Sequence, residues 1–357
     1  MRKVVLALLA IPSIFLGGCW DESQYKDVTI VPVMGITTSG GQVKEFFSYP
    51  TFHNDTISYT QSEGSGISGR SAREDANHRT MEALDFTHLE VLLVSSEIAK
   101  NELHEQLDMF FRSPRNRITS YLAIVEGDME QYFKPPGDLN TEVADFYPEL
   151  LRTAVLYSYI TENTMGESVK ILLDDTIDLS LPYLTINDNG IPTIEGIALF
   201  SHGKYTGATL KKQEAVLAGV MKKQQGKYTR LSFHWKERDS PITIEIINTR
   251  RKMKISNDRI SVNYVINFSV VEFPNNNLNS KNIRRETENF LSAEIKKDFD
   301  KIIKKTQENK SDIIGFGRTV HAFHQKMWNK GDWSETYSTL PIEVNVTMKM
   351  KRTSIYD

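Results

Sequence analysis

The stretch ISVNYVINFSV, residues 260–270, has the clearest strand pattern in the second half of the chain. Every second side chain in it is apolar, namely Ile260, Val262, Tyr264, Ile266, Phe268 and Val270. Because successive side chains of a strand point to opposite faces, this period of two predicts a strand with one buried face. The same alternation occurs at residues 242–246 and 342–350. Three strands are therefore expected in this half of the chain.

A charged segment between the second and third of these strands has its apolar residues at helical spacing. It covers residues 282–305, and the apolar residues are Phe290, Leu291, Ile295, Phe299, Ile302 and Ile303. Such a face is typical of an amphipathic helix that packs on a sheet. We therefore expect an antiparallel sheet covered by one long helix, with Asn257 and Asp258 forming the turn between the first two strands.

The first half of the chain alternates strand and helix patterns. Strands are expected at residues 28–37, 89–94 and 118–125, and helices at residues 70–84, 103–111 and 142–160. Pro32 has no amide hydrogen, so it favours a sheet edge or a bulge in the first strand. The Gly-rich segment SEGSGISG, residues 62–69, is interpreted as a polar loop. This order indicates an α/β or α+β arrangement.

Together these patterns predict a mixed α+β fold with more than one domain. The N-terminal part is expected to be α/β, and the C-terminal part is expected to be the antiparallel sheet with its amphipathic helix. The best run of turn residues in the middle of the chain is NDNGIP, residues 187–192. We therefore expect a signal peptide at residues 1–18, an N-terminal domain at residues 19–190 and a C-terminal domain at residues 191–357.

The beginning of the chain has the pattern of an exported protein. A cationic start is followed by an apolar run at residues 4–16 and by two glycines. The run is short for a membrane span, which needs about 20 apolar residues. The segment LGGC, residues 16–19, resembles the lipobox of bacterial lipoproteins, and Cys19 is the only cysteine of the chain. We therefore expect Cys19 to carry a lipid; the alternative is a buried free thiol.

Composition excludes some functional classes. Hydrophobic residues make up 39% of the chain and charged residues 25%, which is typical of a globular protein with a packed core. The formal charge is −3, and it becomes two units more negative without Arg2 and Lys3. A negative chain is a poor nucleic-acid binder. No nucleic-acid partner is therefore expected.

Three patterns could carry chemistry, and each has a simpler interpretation. GSGISG, residues 64–69, matches a dinucleotide loop, but the segment before it is polar rather than a buried strand. His321 and His324 are two histidines at helical spacing, whereas zinc sites need three or four ligands. Glu195 and Glu214 are a possible acid–base pair without further support. We expect no catalytic residue, no metal site and no cofactor.

Several segments resemble the Ger(x)C family, the lipoprotein C subunits of nutrient germinant receptors in spore-forming bacteria. They are CWDE at residues 19–22, VTIVPVMGIT at 28–37, THLEVLLVSSEIAK at 87–100, FFRSPRNRITSYLAIVEG at 110–127, EGIALFSHGKYTGATLKKQEA at 195–215 and DIIGFG at 312–317. Trp328 and the closing KRT complete the resemblance. Two positions depart from it: Thr87 stands where the family often has Gly, and Ser23 begins a departure from its usual Glu-Leu pair.

The resemblance implies a non-enzymatic protein of three subdomains. Such subunits assemble with two integral membrane subunits, of the A and B types, in the spore inner membrane and face away from the cytoplasm. The germinant itself, and any direct contact with a small molecule, stay open. Two other classes are weighed against this interpretation: a solute-binding lipoprotein of an importer, which would need two comparable lobes, and a wall-modifying enzyme, which would need a nucleophile or a metal.

Overall fold

The computed structural model describes residues 28–352 except 54–55, 102, 114–115, 257, 275–277, 279 and 330. The strands are β1 (Val28–Ile30), β2 (Val33–Ser39), β3 (Gln42–His53), β4 (Thr56–Gly66), β5 (Ala83–Asp85), β6 (Val91–Ser95), β7 (Tyr121–Val125), β8 (Ser180–Ile186), β9 (Pro192–Ser201), β10 (Lys204–Lys211), β11 (Arg230–Trp235), β12 (Ser240–Ile255), β13 (Ile260–Glu272) and β14 (Ile342–Arg352). The helices are α1 (Gly69–Asn77), α2 (Ser96–Asn101), α3 (Leu103–Phe111), α4 (Met129–Tyr132), α5 (Val143–Leu156), α6 (Met165–Leu172), α7 (Gln213–Lys222), α8 (Lys281–Glu308), α9 (Phe316–Phe323), α10 (Gln325–Trp328) and α11 (Trp333–Thr339).

The first part of the chain is built on an eight-stranded sheet in the order β10-β9-β8-β7-β6-β2-β3-β4. Its central pairs, from β2 to β8, are parallel, and its outer pairs are antiparallel. The side chains of β6 are all buried, because Val91 and Leu93 pack on one face of the sheet and Leu92 and Val94 on the other. A strand covered on both faces has the continuous apolar sequence seen here.

Pro32 divides the predicted first strand in two. β1 pairs with β5 in a small separate sheet, whereas β2 lies inside the large sheet between β3 and β6. The expectation of an edge or bulged strand was therefore wrong for β2. Proline cannot donate a ladder hydrogen bond, and here it stands between the strands, where its carbonyl accepts from the amides of Glu90 and Val91.

The Gly-rich segment is a strand end rather than a loop. β4 runs to Gly66 as the edge strand of the large sheet, and α1 follows at Gly69. The glycines are required by close packing: a Cβ on Gly64 would lie 1.9 Å from the carbonyl oxygen of Ala72 on α1. The helix ends at Asn77, well before the predicted end at residue 84, and residues 83–85 form β5.

The three alternating strands of the second half are confirmed as β12, β13 and β14, and α8 covers them as predicted. They form a sheet in the order β11-β12-β13-β14. The sheet is mixed rather than wholly antiparallel, because β14 runs parallel to β13. The long connection through α8 carries the chain back to the starting end of β13, which is the connection that a parallel pair needs.

The mixed α+β fold class is therefore confirmed. The turn at residues 187–191, which was predicted to lie at a domain boundary, connects two neighbouring strands. It joins β8 to β9, which are neighbours in the eight-stranded sheet. The division into domains at residue 190 stays a prediction. The predicted turn at Asn257 and Asp258 is described only in part, since Asn257 lies outside the described residues; beside it the amide of Ser256 donates to the carbonyl of Arg259.

Candidate functional site

The DIIGFG segment forms the most highly connected polar site in the described part of the chain. Asp312 is fully buried. Its carboxylate accepts four hydrogen bonds, at 2.9, 3.1, 2.7 and 3.0 Å, from the backbone amides of Gly315, Phe316 and Gly317 and from the indole Nε1 of Trp333. Burial raises the pKa of Asp312, and the four donors act against that rise. The carboxylate thus caps α9 and ties α11 to it.

Two glycines make this geometry possible. Gly315 has φ of +77°, a left-handed conformation that glycine adopts without a steric penalty. A Cβ on Gly317 would lie 2.5 Å from the carbonyl oxygen of Thr176 and 2.5 Å from Nε1 of Trp333. Phe316 and Trp333 are buried in the core. The two glycines therefore permit the tight turn that precedes α9, and Phe316 and Trp333 form part of the core.

Asp178 joins this site to the eight-stranded sheet. The backbone amide of Asp178 donates to the carbonyl of Asp312 at 3.1 Å, and the amide of Asp312 donates to Asp178 Oδ2 at 2.7 Å. The other oxygen of Asp178 accepts from the amide of His202 at 3.2 Å. Burial raises the pKa of Asp178 to about 7, although both of these amide hydrogen bonds oppose the change. Two segments far apart in sequence thus share one polar junction.

A cleft of about 470 Å³ opens beside the junction. Its walls include Asp174, Asp178, His202, Trp328 and Trp333. Two acids of the cleft have partners on the protein itself: Arg318 binds Asp174 at 2.9 Å, and Nε2 of His202 lies 3.2 Å from Asp332. The arrangement therefore holds segments together, and the four N–H donors on Asp312 leave its oxygens poorly placed to accept a proton from a substrate.

Two of the weaker candidates from the sequence, His321 and Glu214, pack against or bind other parts of the protein. The ring of His321 on α9 packs edge-on against Trp328, with 4.8 Å between ring centroids. Glu214 binds Lys305 of α8 at 2.9 Å and accepts from the amide of Lys211. Among the residues that the structure describes, no three His, Cys, Asp or Glu side chains are grouped to hold a metal. Cys19, the predicted lipid attachment point, lies outside the described residues.

Sequence reasoning missed a buried ion pair in the first half. Glu45 of β3 is fully buried, and its Oε2 lies 3.7 Å from Nε of Arg73 on α1. A signal for it exists in the sequence, because Glu45 stands in phase with Val43 and Phe47, two residues of the buried face of β3. A charge at an apolar position of a strand pattern is a candidate buried acid.

Comparison with known proteins gives a consistent result over nearly the whole chain. Residues 21–186 match the model of the spore germination protein N-terminal domain, and residues 195–354 match that of the spore germination B3/GerAC-like C-terminal domain. The chain is 24% identical to spore germination protein KC of Bacillus subtilis, covering 99% of this chain and 97% of that protein. It is 24% identical to spore germination protein GerQC of Bacillus cereus, covering 99% of each.

A solved structure has the same fold. The crystal structure of the GerBC protein aligns with a TM-score of 0.59 at 18% identity, and the alignment covers 89% of this chain and 97% of that one. In the described part of the chain, no helix is long and apolar enough to cross a membrane. The two domain matches occur in the order that the sequence motifs predicted, and the family resemblance is confirmed. The chain belongs to the Ger(x)C family of spore germination proteins.

Proposed function

We propose that this protein is the lipoprotein C subunit of a spore nutrient germinant receptor and that it acts without catalysis. The single observation that carries the proposal is the ordered match of both family domains, at residues 21–186 and 195–354. The relatives with which the chain aligns end to end are named as spore germination proteins. The proposed partners are two integral membrane subunits, of the A and B types, in the spore inner membrane.

The proposed anchor is a lipid on Cys19. The LGGC segment at residues 16–19 supplies the attachment motif. A protein held by two acyl chains stays on the membrane, whereas one chain gives only marginal binding. Confinement to the outer surface of the inner membrane raises the effective concentration of the folded part near membrane-embedded partners. The anchor would therefore favour receptor assembly without contributing contacts of its own.

A non-enzymatic role fits the chemistry of the junction. The carboxylate of Asp312 is occupied by four N–H donors, and two acids of the neighbouring cleft, Asp332 and Asp174, bind His202 and Arg318. These groups stabilise the contact between the eight-stranded sheet and the α9–α11 region. We propose that the fold serves as a rigid scaffold that couples the membrane subunits through protein contacts.

The proposal is tested by purification from the inner membrane of dormant spores. A C-terminal tag is placed on the wild-type protein, on Cys19→Ala and on Ser23→Ala, a matched control that keeps the thiol. Two integral membrane proteins are expected to co-purify with the wild type and with Ser23→Ala. Their yield with Cys19→Ala is expected to fall at least tenfold, because the unlipidated protein is not retained at the membrane.

Two results would overturn this function. If the wild type purifies alone or with an ATP-driven permease, the importer-type solute-binding role replaces it. If spores that lack this protein and every paralogue germinate normally on nutrients, the protein is not an essential receptor subunit.

A further inference from the structure

The first strand of the C-terminal sheet has a free edge. β11 is the edge strand, and the amide of Ile246 on β12 donates to the carbonyl of Thr229 at 2.8 Å. Because hydrogen-bonding directions alternate along an antiparallel pair, the backbone groups of Arg230, Ser232 and His234 point away from β12. Within the described residues, these three have no backbone hydrogen-bond partner outside the sheet ladder, and their side chains are exposed.

The opposite edge of the same sheet is protected. On β14, the amide of Met348 donates to Ser292 Oγ at 3.0 Å, and the amide of Met350 donates to Glu288 Oε1 at 2.8 Å. Both acceptors lie on α8. Native proteins commonly cover sheet edges, because an open edge pairs with other chains. The fold thus covers one edge of this sheet and leaves the β11 edge open.

An apolar cleft of about 350 Å³ lies directly beside the open edge. Its apolar lining comes from Ile194 of β9, Val216 of α7, Leu231 of β11 and Tyr159, whose exposed fraction is 53%. An extended chain that pairs with β11 would bring alternate side chains over this cleft. When a peptide adds to a sheet as a strand, pockets for its alternate side chains give specificity, and this cleft could serve as such a pocket.

An aromatic surface continues from the cleft. The ring centroids of Tyr157 and Tyr159 are 6.1 Å apart, and those of Tyr157 and Tyr228 are 5.3 Å apart. Lys227 and Arg230 lie over the ring of Tyr228, at 5.1 and 5.7 Å from its centroid. Tyrosine and arginine are the residues that most often dominate binding at protein interfaces. The composition of this surface is that of a protein-binding site.

The charge of the surface identifies the kind of partner. The charged residues that line the cleft are Lys212 and Arg230, and Lys227 lies farther along the aromatic surface, 5.1 Å from the ring centroid of Tyr228. The acids near this surface have partners of their own: Glu245 binds Arg230 at 2.8 Å, Asp298 binds Lys301 at 2.9 Å and accepts from Gln213, and Asp239 lies 3.6 Å from His234. The side chain of Lys212 is exposed and forms no ion pair within the described residues. Among the described residues, the lining of the cleft thus carries two cations and no acid, on a chain whose formal charge is −3.

We propose that the β11 edge and this cleft bind an extended acidic segment of a partner protein. The segment adds as a strand beside β11 through the outward backbone groups of Arg230, Ser232 and His234. One apolar side chain enters the cleft, and neighbouring carboxylates bind Lys212 and Lys227. The inference deepens the proposed function, because it assigns the face through which the subunit would contact its receptor.

Ser232 offers a test that separates backbone pairing from other contacts. The outward amide of Ser232 is lost in Ser232→Pro, while proline is tolerated on the solvent side of an edge strand. Ser232→Ala is the matched control, since both changes remove the hydroxyl that lies 2.9 Å from Thr243 Oγ1. In the spore-membrane purification described above, partner yield is expected to fall at least tenfold with Ser232→Pro and to stay within twofold of wild type with Ser232→Ala.

A second variant does not depend on the fold of the strand. Lys212→Glu changes an exposed side chain, and we expect it to lower partner yield at least fivefold, because it reverses the charge in the cleft. Equal urea midpoints for the variants and the wild type check that the fold is kept. If partners co-purify with wild type and equally well with Ser232→Pro and Lys212→Glu, the docking surface is wrong and the receptor function stands.

Crosslinking identifies the bound segment independently of purification. p-Benzoylphenylalanine replaces Tyr159 at the cleft wall, and Phe323, an exposed aromatic residue of α9, is the control position. Irradiation of spore membranes is expected to link position 159, but not 323, to a peptide rich in Asp and Glu. Crosslinks to lipid only, to a second copy of this chain or to a basic segment would each overturn the inference. If position 159 crosslinks an acidic segment while no membrane subunit co-purifies with wild type, the inference holds and the proposed function fails.

Discussion

Two buried acids, one in each half of the molecule, differ in how the protein accommodates them. Asp312 in the C-terminal half receives four N–H donors, and Glu45 in the N-terminal half receives none within the described residues. Both are fully buried. The difference lies in local structure: Asp312 precedes a glycine turn and a helix start, whose free amides point at it, whereas Glu45 projects from the middle of a strand.

The partner of Glu45 compensates for burial only in part. Arg73 lies 3.7 Å from Glu45, and its guanidinium stacks 3.7 Å from the ring centroid of Phe86. Burial raises the pKa of Glu45 to about 8, although Arg73 lowers it, and burial lowers the pKa of Arg73. Attraction between buried charges often fails to repay the cost of removing them from water. Burial therefore shifts Glu45 towards its protonated form.

Hydrogen-bond donors, more than an opposite charge, determine how much a buried carboxylate contributes to stability. Asp312 accepts hydrogen bonds from N–H groups that would otherwise be buried without an acceptor. Glu45 forms no hydrogen bond within the described residues, so its main effect is to make the free energy of unfolding depend on pH. The variants below test this contrast.

Asp312→Ala is expected to have the largest effect on stability. It leaves four N–H groups buried without an acceptor, and each such group costs about 1–3 kcal/mol. We expect the free energy of unfolding to fall by about 4 kcal/mol or more, measured by urea denaturation of the purified protein.

Asp175→Ala is the matched control, because this exposed acid lies in the cleft beside the same junction. Its loss is expected to change the free energy of unfolding by less than about 0.5 kcal/mol. A loss below about 1 kcal/mol for Asp312→Ala would show that water replaces the carboxylate as acceptor. The four hydrogen bonds would then contribute little to the free energy of unfolding.

Glu45 is expected to make stability depend on pH. Its pKa is about 8 in the folded protein, above its ordinary value of 4.5 in an unfolded chain, so the folded state binds more protons between these values. The free energy of unfolding therefore falls as pH rises through this window, by at most about 1.4 kcal/mol per unit. Between pH 6 and 8.5, we expect wild type to lose about 2 kcal/mol more than Glu45→Gln.

Glu45→Gln keeps the shape of the protonated acid and cannot ionise. At pH 6, its stability is expected to lie within about 1 kcal/mol of wild type, since glutamine replaces a neutral carboxyl. Parallel pH profiles for the two proteins, measured by urea denaturation, would mean that Glu45 is ionised throughout and that Arg73 compensates for its burial.

The features that could be predicted from the sequence are those in which one face of a strand or helix is buried and the other is exposed. The alternation at residues 260–270 has a single buried face, so β13 and its covering helix were found. The direction of β14 was missed, because side-chain alternation is the same in parallel and antiparallel pairs. The end of β4 was predicted as a loop, because an edge strand can carry polar residues. Gly64 is needed there because α1 packs closely against it.

The candidate site was predictable only as a motif. DIIGFG stood out only as a segment of the family resemblance, and the structure places it in the turn before α9. That Asp178 meets Asp312 across 134 residues depends on how β8 packs against the C-terminal half, and no local pattern contains this information. The burial of Glu45 could have been predicted, because it alternates in step with the apolar residues of β3. A strand pattern alone does not show which charged residue lies opposite it.

The smallest effect is expected at the surface of the same junction. Arg318 binds Asp174 at 2.9 Å, with exposed side-chain fractions of 52% and 29%. Exposed ion pairs contribute little, because water solvates each partner when the other is removed. We expect Arg318→Ala to lower the free energy of unfolding by about 0.5 kcal/mol in low salt, and by less in 1 M NaCl, where charges are screened beyond about 3 Å. Urea denaturation at the two salt concentrations measures this, with Asp312→Ala as the salt-insensitive reference. A loss for Arg318→Ala as large as that for Asp312→Ala would mean that charge pairing across the junction, rather than the satisfaction of buried donors, holds the two halves together.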